Sequence, residues 1–165
     1  MSTTQATRSS LSANKTFLRS FPGVLRLLQL AMGAALWITI ASNNYSGAVH
    51  FVLFVAVFFW LLTLILYFLT LLDKQELVPL LGGQHWLLTN LIYDALATVL
   101  HIAATIVMAT YTDQNSFCTL EGYQFSCPYN TYLAASIFAS LCSFLYLLTT
   151  VCFIWKKCQG GQSII

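Results

Sequence analysis

The sequence predicts an all-α membrane protein: an antiparallel up-down-up-down four-helix transmembrane bundle with both termini cytosolic. Three observations predict it. The chain of 165 residues is 58% hydrophobic and only 7% charged, where a soluble domain carries about 25% charged residues. Its apolar residues gather into four blocks, each near the ~20 residues needed to cross about 30 Å of hydrocarbon. All seven Lys and Arg (Arg8, Lys15, Arg19, Arg26, Lys74, Lys156, Lys157) fall on one side of those blocks when both ends are cytosolic. The other side, Ser42–Ala48 and Tyr111–Thr131, has none, which the positive-inside rule reads as the outer or lumenal face.

The elements follow in order. Residues 1–19 are rich in Ser and Thr and weakly basic, and read as a disordered cytosolic tail open to phosphorylation. "SFPGV" starts the first span: Pro22 suits a first helical turn, where its missing N–H costs nothing, and Ser20 can cap. Val24–Ala41 has 18 residues, including Arg26 and Gln29. It exceeds the usual apolar stretch of a cleaved signal peptide, so it is expected to stay. The start Met-Ser does not signal myristoylation. Val49–Leu72 has 24 residues without a charge. Its bulk, "FVLFVAVFFWLLTLILYFLTLL", suits lipid contact, and a length of about 36 Å implies a tilt. Leu87–Thr110 has 24 residues and holds Asp94 and His101, and Tyr132–Ile154 has 23 with no charge. The domain is thus 20–155, followed by a short cytosolic tail, 156–165. Loops of seven, about fourteen and twenty-one residues leave no room for a second domain and force neighbouring spans antiparallel. Trp86 and Trp155 are expected at the inner interface, Tyr111 and Tyr132 at the outer.

In lipid, helices associate through close backbone approach, so small residues mark contacts. The first span offers Ala31, Gly33, Ala34 and Ala35; the fourth offers Ala135, Ala139 and Ser143, with Ser136 and Ser140 beside them. Packing within the bundle is the expected use, and a dimer face the alternative.

Ionisable groups at depth are expensive and need partners. Asp94 lies about 10 Å in from the cytosolic end, and Arg26 and Gln29 enter from the same end at depths their side chains can bring level. A bundle lock of Arg26, Gln29 and Asp94 is the preferred reading. A lone protonated Asp94 bonded to backbone is the second. His101 sits about 10 Å along the helix from Asp94, too far for a direct bond, so the two form no dyad. It is expected as a neutral histidine bonded to a Ser, Thr or carbonyl across the helix interface, serving architecture with the other three. A proton relay through Asp94 and His101 is the competing use.

Cys118 and Cys127 bracket "CTLEGYQFSC" in the second outer loop, where disulfides persist, and are expected to pair. Cys142 and Cys152 read as small apolar fillers. Cys158 follows "IWKK" at the cytosolic membrane surface and is a palmitoylation candidate, with a plain thiol as the alternative. Asn44-Tyr45-Ser46 matches a glycosylation sequon, but its loop lies too close to the membrane for use. Ser163, Ile164 and Ile165 end the chain with the shape of a PDZ ligand. No nucleophile, metal cluster or cofactor motif stands out, so neither an enzyme nor a cofactor is expected, and no nucleic-acid partner.

Four spans, a tiny first outer loop, cytosolic ends and a cysteine pair in the second outer loop resemble the MARVEL family, the tetraspan group of MAL, plasmolipin, the physins and occludin. "FLRSFPGVLRLLQL", "WITIA", "HFVLFVAVFFWLLTLILYFLTLL" and "ELVPLLG" carry the likeness, which covers about residues 17–158. Claudins have a long first outer loop, and tetraspanins a large second one with Cys-Cys-Gly; neither pattern is here. The resemblance implies a non-enzymatic organiser of membranes, in apposition, vesicle trafficking or lipid subdomains, at the plasma membrane or on vesicles. For its most similar branch it implies a microtubule link and restraint of proliferation or migration. The partners implied are membrane lipids, other membrane helices or a second copy, and cytoskeletal or PDZ-type cytosolic proteins. The rival class is a small oligomeric channel or proton-coupled transporter, against which stands the lack of a Gly or Pro break in any span.

Overall fold

The computed structural model describes residues 15–74, 85–119 and 127–161. Residues 1–14 of the expected tail, most of the middle loop, the tip of the second outer loop and the terminal Ser163–Ile165 lie outside them. Among the described residues the elements are α1 (Lys15–Arg19), α2 (Phe21–Ala41), α3 (Val49–Leu71), α4 (Trp86–Gln114), a 3-10 turn (Ser116–Thr119) and α5 (Tyr129–Cys158). The four long helices are each long and apolar enough to cross a membrane.

Burial recurs along every span at steps of three and four residues, which alternate over most of α2 and α5. In α2 the buried positions include Arg26, Gln29, Gly33, Leu36 and Ile40; in α5 they include Tyr132, Ala135, Ala139, Cys142, Tyr146, Thr149 and Phe153. A mean step of about 3.5 residues keeps one seam turned inward on a left-handed bundle. The outward faces remain apolar, with Phe54, Ile65, Ile92, Val99, Ile106, Phe144 and Val151 all exposed, as a lipid-facing surface should be. The bulky second span is therefore lipid-facing on one side only. Its other side, through Val52, Val55, Ala56 and Phe59, is core.

The described helices pack as a ring, α2–α3–α4–α5 and back to α2, with α4 and α5 making the most extensive approach. Small residues permit it: Ala97 and Ala104 of α4 and Ala135, Ala139 and Cys142 of α5 are fully buried. Of the small residues singled out in the first span, Gly33 is buried and Ala31 exposed. A Cβ on Gly33 would stand 3.2 Å from Cδ1 of Trp60, whose indole N–H donates to the Leu30 carbonyl at 3.0 Å. In α5, Ala135 and Ala139 join Leu36, Ile40, Val52 and Met108 in the outer core cluster, while Ser140 is exposed.

Both α4, with 29 residues, and α5, with 30, outrun their apolar blocks. At about 1.5 Å per residue they exceed 40 Å, so their ends stand in the headgroup zone. Cys118 and Cys127 form a disulfide across their connection, with Cα atoms 5.6 Å apart.

Two expectations need correction. The disordered tail does not extend to residue 19, because Lys15–Arg19 is helical and Phe17 is 1% exposed. Phe17 packs on Tyr67 with ring centroids 5.8 Å apart, in a cluster with Trp86, Leu87 and Phe153. One buried aromatic can tie down a short polar segment. The Ser20 hydroxyl accepts from Gly23 N–H at 3.2 Å as the expected cap, and it also donates back to the Phe17 carbonyl at 2.7 Å, which fixes the α1–α2 corner. The second correction concerns Trp86, which is buried in that same cluster rather than spread at the membrane interface; Trp155 is exposed. At the far end Tyr111 and Tyr132 pair at 5.7 Å, and the Tyr111 hydroxyl accepts from Ala48 N–H at 3.1 Å.

Candidate functional site

A ring of four helices leaves two diagonals, α2 to α4 and α3 to α5, where backbones stand apart. Only long side chains can cross that gap, and polar ones do so here. Arg26 of α2 reaches α4: one guanidinium nitrogen donates to Asp94 Oδ1 at 2.6 Å and to Gln29 Oε1 at 2.9 Å. The other donates to Asp94 Oδ2 at 3.0 Å and to Asn90 Oδ1 at 2.8 Å. This is a two-pronged ion pair with both carboxylate oxygens engaged, and the planar fork of arginine is what makes it possible. Arg26 is 3% exposed and Asp94 0%. The guanidinium carbon also stands 5.4 Å from the ring centre of Tyr93.

The network continues outward from the pair. Gln29 donates through Nε2 to Thr149 Oγ1 at 2.8 Å, joining α2 to α5. Asn90 donates through Nδ2 to the Trp86 carbonyl at 2.9 Å, so each of its polar atoms has a partner. The sequence-predicted Arg26, Gln29 and Asp94 are thus in one place. Asn90 and Thr149 complete it, and no sequence argument singled them out. The signal for Asn90 was its position four residues before Asp94, on the same face of the same helix.

The second diagonal carries hydroxyls. Thr63 of α3 lies 2.6 Å from the Tyr146 hydroxyl of α5 and 2.7 Å from that of Tyr93 in α4. Tyr93 donates its single proton to the Phe59 carbonyl at 2.8 Å. The remaining protons are then directed: Thr63 donates to Tyr93, and Tyr146 donates to Thr63. Three hydroxyls are satisfied without water.

His101 does not join the Arg26 network. Its Nδ1 stands 2.9 Å from the Ala97 carbonyl, one turn back on its own helix. A carbonyl only accepts, so the proton is on Nδ1. This corrects the expected bond across the interface: a buried side chain on a helix finds the i−4 carbonyl on its own face. Across the interface its ring meets Tyr146 at 5.1 Å and Phe59 at 5.7 Å. His101 and Asp94 share a face and belong to different assemblies.

The other candidates lie at the bundle's ends. Cys158 is exposed at the last residue of α5 beside Lys157, Cys142 is buried and Cys152 is half-buried. Asn44 is exposed in the loop between α2 and α3, beside a cavity of about 440 Å3 that Ser42, Asn43, Cys127, Pro128 and Tyr132 also line. Among the described residues no three His, Cys, Asp or Glu come together as metal ligands would. The arrangement joins α2 to α4 and α5, and α3 to α4 and α5, through side-chain bonds.

A sequence profile described as "MARVEL: Membrane-associating domain" matches residues 17–152. The chain belongs to the MARVEL family. It is 51% identical over 149 residues to MARVEL domain-containing protein 1 of Danio rerio, covering 90% of this chain and 92% of the relative. Plasmolipin of Mus musculus is 41% identical over 146 residues, 86% of this chain and 74% of its own length. CKLF-like MARVEL transmembrane domain-containing protein 8 of Mus musculus is 33% identical over 145 residues, 85% and 76% of the two chains. No solved structure matches. The matched MARVEL segment begins at Phe17, the residue whose burial docks α1, and runs past Thr149, the far end of the polar network.

Proposed function

We propose that this MARVEL protein is a non-enzymatic membrane organiser that works laterally, selecting lipids and partner helices in membrane apposition, vesicle trafficking or lipid-subdomain organisation. The observation that carries the reading is where polarity is spent. Arg26, Gln29, Asn90, Asp94, Thr63, Tyr93, Tyr146 and Thr149 bond one another inside the bundle, while every span turns an apolar face outward. Such a molecule meets its surroundings through lipid-facing surfaces and its ends. Kinship with plasmolipin supports the reading. In it, Arg26, Gln29, Asn90, Asp94 and Thr149 act as a register lock, and both termini are cytosolic, which the charge asymmetry supports. The plasma membrane or vesicles are its site, and cytosolic ends carrying Cys158 and Ser163–Ile165 recruit cytoskeletal or PDZ-type partners.

A proton-coupled transporter would need Asp94 open to water, whereas Arg26 occupies both of its oxygens. The deciding experiment is reconstitution of the full chain at low density in giant vesicles with coexisting lipid phases. The organiser reading expects concentration in one phase and no pH-driven flux. Uniform distribution together with a flux lost in His101→Ala overturns it.

A further inference from the structure

The two ends of the bundle are built differently. Lys15, Arg19, Lys74, Lys156 and Lys157 stand at the end carrying α1, whereas the described residues of the opposite end, 42–48, 111–119 and 127–131, contain no Lys or Arg. The positive-inside rule accounts for that sign. It does not account for a cavity of about 430 Å3 lined by Lys15, Thr16, Arg19 and Ser20.

These four residues lie at i, i+1, i+4 and i+5, so they share one side of α1 and its cap. On the other side, Phe17 and Leu18 face the inner core cluster. Lys15 and Arg19 are like charges at i,i+4, a spacing that is unfavourable without an anion between them. Asp94 is taken by Arg26, and neither Lys15 nor Arg19 makes an ion pair with a described residue. Nor is α1 free to swing away: the Ser20 bonds hold the corner, and a Cβ on Gly23 would overlap the Phe17 carbonyl. The α1 helix ends one residue before the first span begins, which sets the cavity at headgroup level.

We propose that this concavity binds the phosphomonoester headgroup of an anionic phospholipid of the phosphoinositide type. The proposal rests on the reading of the chain as a lipid-selecting organiser and names the lipid class. A phosphomonoester carries about −1.5 to −2 charge and three terminal oxygens, which match an ammonium and a guanidinium fork four residues apart. The diester of an ordinary phospholipid offers a single charge. Basic pockets at the cytoplasmic ends of spans take such headgroups. Thr16 adds a hydroxyl donor; the Ser20 proton is already given to Phe17.

The test uses the full chain in phosphatidylcholine nanodiscs doped with phosphatidylinositol 4-phosphate, or with phosphatidylserine at matched total charge. Bound lipid is counted by native mass spectrometry. Phosphatidylinositol 4-phosphate should bind in preference, and Lys15→Gln with Arg19→Gln should weaken it by roughly thirtyfold, about fivefold per cation. Lys74→Gln with Lys157→Gln, two exposed lysines whose loss removes the same charge from the same end, should cost less than about threefold. Equal losses in the two double variants would mean a diffuse basic rim and overturn the site. Equal binding of phosphatidylserine would overturn the headgroup class, and displacement by inorganic phosphate at equal concentration would overturn the lipid. Both variants alter exposed side chains and should melt with the parent. A parent chain that concentrates in one lipid phase but shows no headgroup preference overturns this inference alone; uniform phase distribution with headgroup binding intact overturns the organiser reading alone.

Discussion

Replacing Asp94 by Leu strands Arg26. Asp94 is 0% exposed and supplies two of the four acceptors that the guanidinium meets, at 2.6 and 3.0 Å. The Gln29 and Asn90 oxygens, at 2.9 and 2.8 Å, remain, but neither carries charge. Removing one partner of a buried pair costs about 3–5 kcal/mol. Arg26→Leu should cost less, because a stranded carboxyl can take up a proton while a guanidinium cannot give one up. The double variant is the informative one. It leaves no buried charge and orphans only the Gln29 and Asn90 oxygens, each worth about 1–3 kcal/mol if unrelaxed. With both oxygens near the low end of that range, about 2 kcal/mol together, the double variant should recover about 1 kcal/mol or more of the Asp94→Leu loss. Equilibrium unfolding in mixed detergent micelles measures the free energies, and surface expression in cells should rank the variants alike. A double variant no more stable than Asp94→Leu refutes the pairing as the reason for the loss.

Three further outcomes follow from the geometry. Gly23→Ala forces a Cβ into the Phe17 carbonyl, so it should unseat α1 and cost about 1–3 kcal/mol, read as protease cleavage before the first span; unchanged cleavage counts against a docked α1. Tyr146→Phe deletes the 2.6 Å bond to Thr63 while Thr63 keeps Tyr93, so the cost should be about 1 kcal/mol in the same unfolding assay, and a change above about 3 would mean the diagonal carries more than one hydrogen bond. Cys158→Ser should abolish incorporation of labelled palmitate, since Cys158 is the exposed free thiol among the described residues; label retained in that variant assigns the acyl chain elsewhere.

The four spans were legible because apolar length is set by bilayer thickness and needs no tertiary information. Depth counting from the end that carries the Lys and Arg residues was enough to set Arg26 beside Asp94, since two helices entering a membrane from one side share a vertical scale. Depth says nothing of azimuth, however, and azimuth decides the rest. His101 turned to its own Ala97 carbonyl because the ring faces a seam lined by Phe59 and Tyr146. Trp86 looked like an interface anchor by position, but its place on the seam turns it inward, into the cluster that holds Phe17, Tyr67 and Phe153. Asn90 and Thr149 were hidden for the same reason: both are unremarkable in composition and significant only through the three-four step of the seam. The α1 docking was missed because five polar-rich residues carry no periodicity, and one phenylalanine decides their fate.

A buried ion pair is weak evidence of stability, since well-packed apolar residues often do as well. In a bilayer the comparison shifts from stability to register. Lipid is as apolar as Leu, so an apolar helix that slides one turn, about 5.4 Å, against its neighbour exchanges one greasy contact for another at little cost. The polar contacts have no such substitute. A one-turn slip of α4 against α2 would break the set of four bonds, because Asn90 and Asp94 are themselves one turn apart and only one of them could then stand level with Arg26. A slip of α5 would part Gln29 from Thr149 and Tyr146 from Thr63, and one of α3 would part Thr63 from Tyr93. Each helix is thereby held to at least two others, and both diagonals, which backbone packing cannot reach, are bridged. Polarity concentrated on the seams leaves the outward faces free to be largely apolar, and those faces are the ones that meet lipid and other membrane helices.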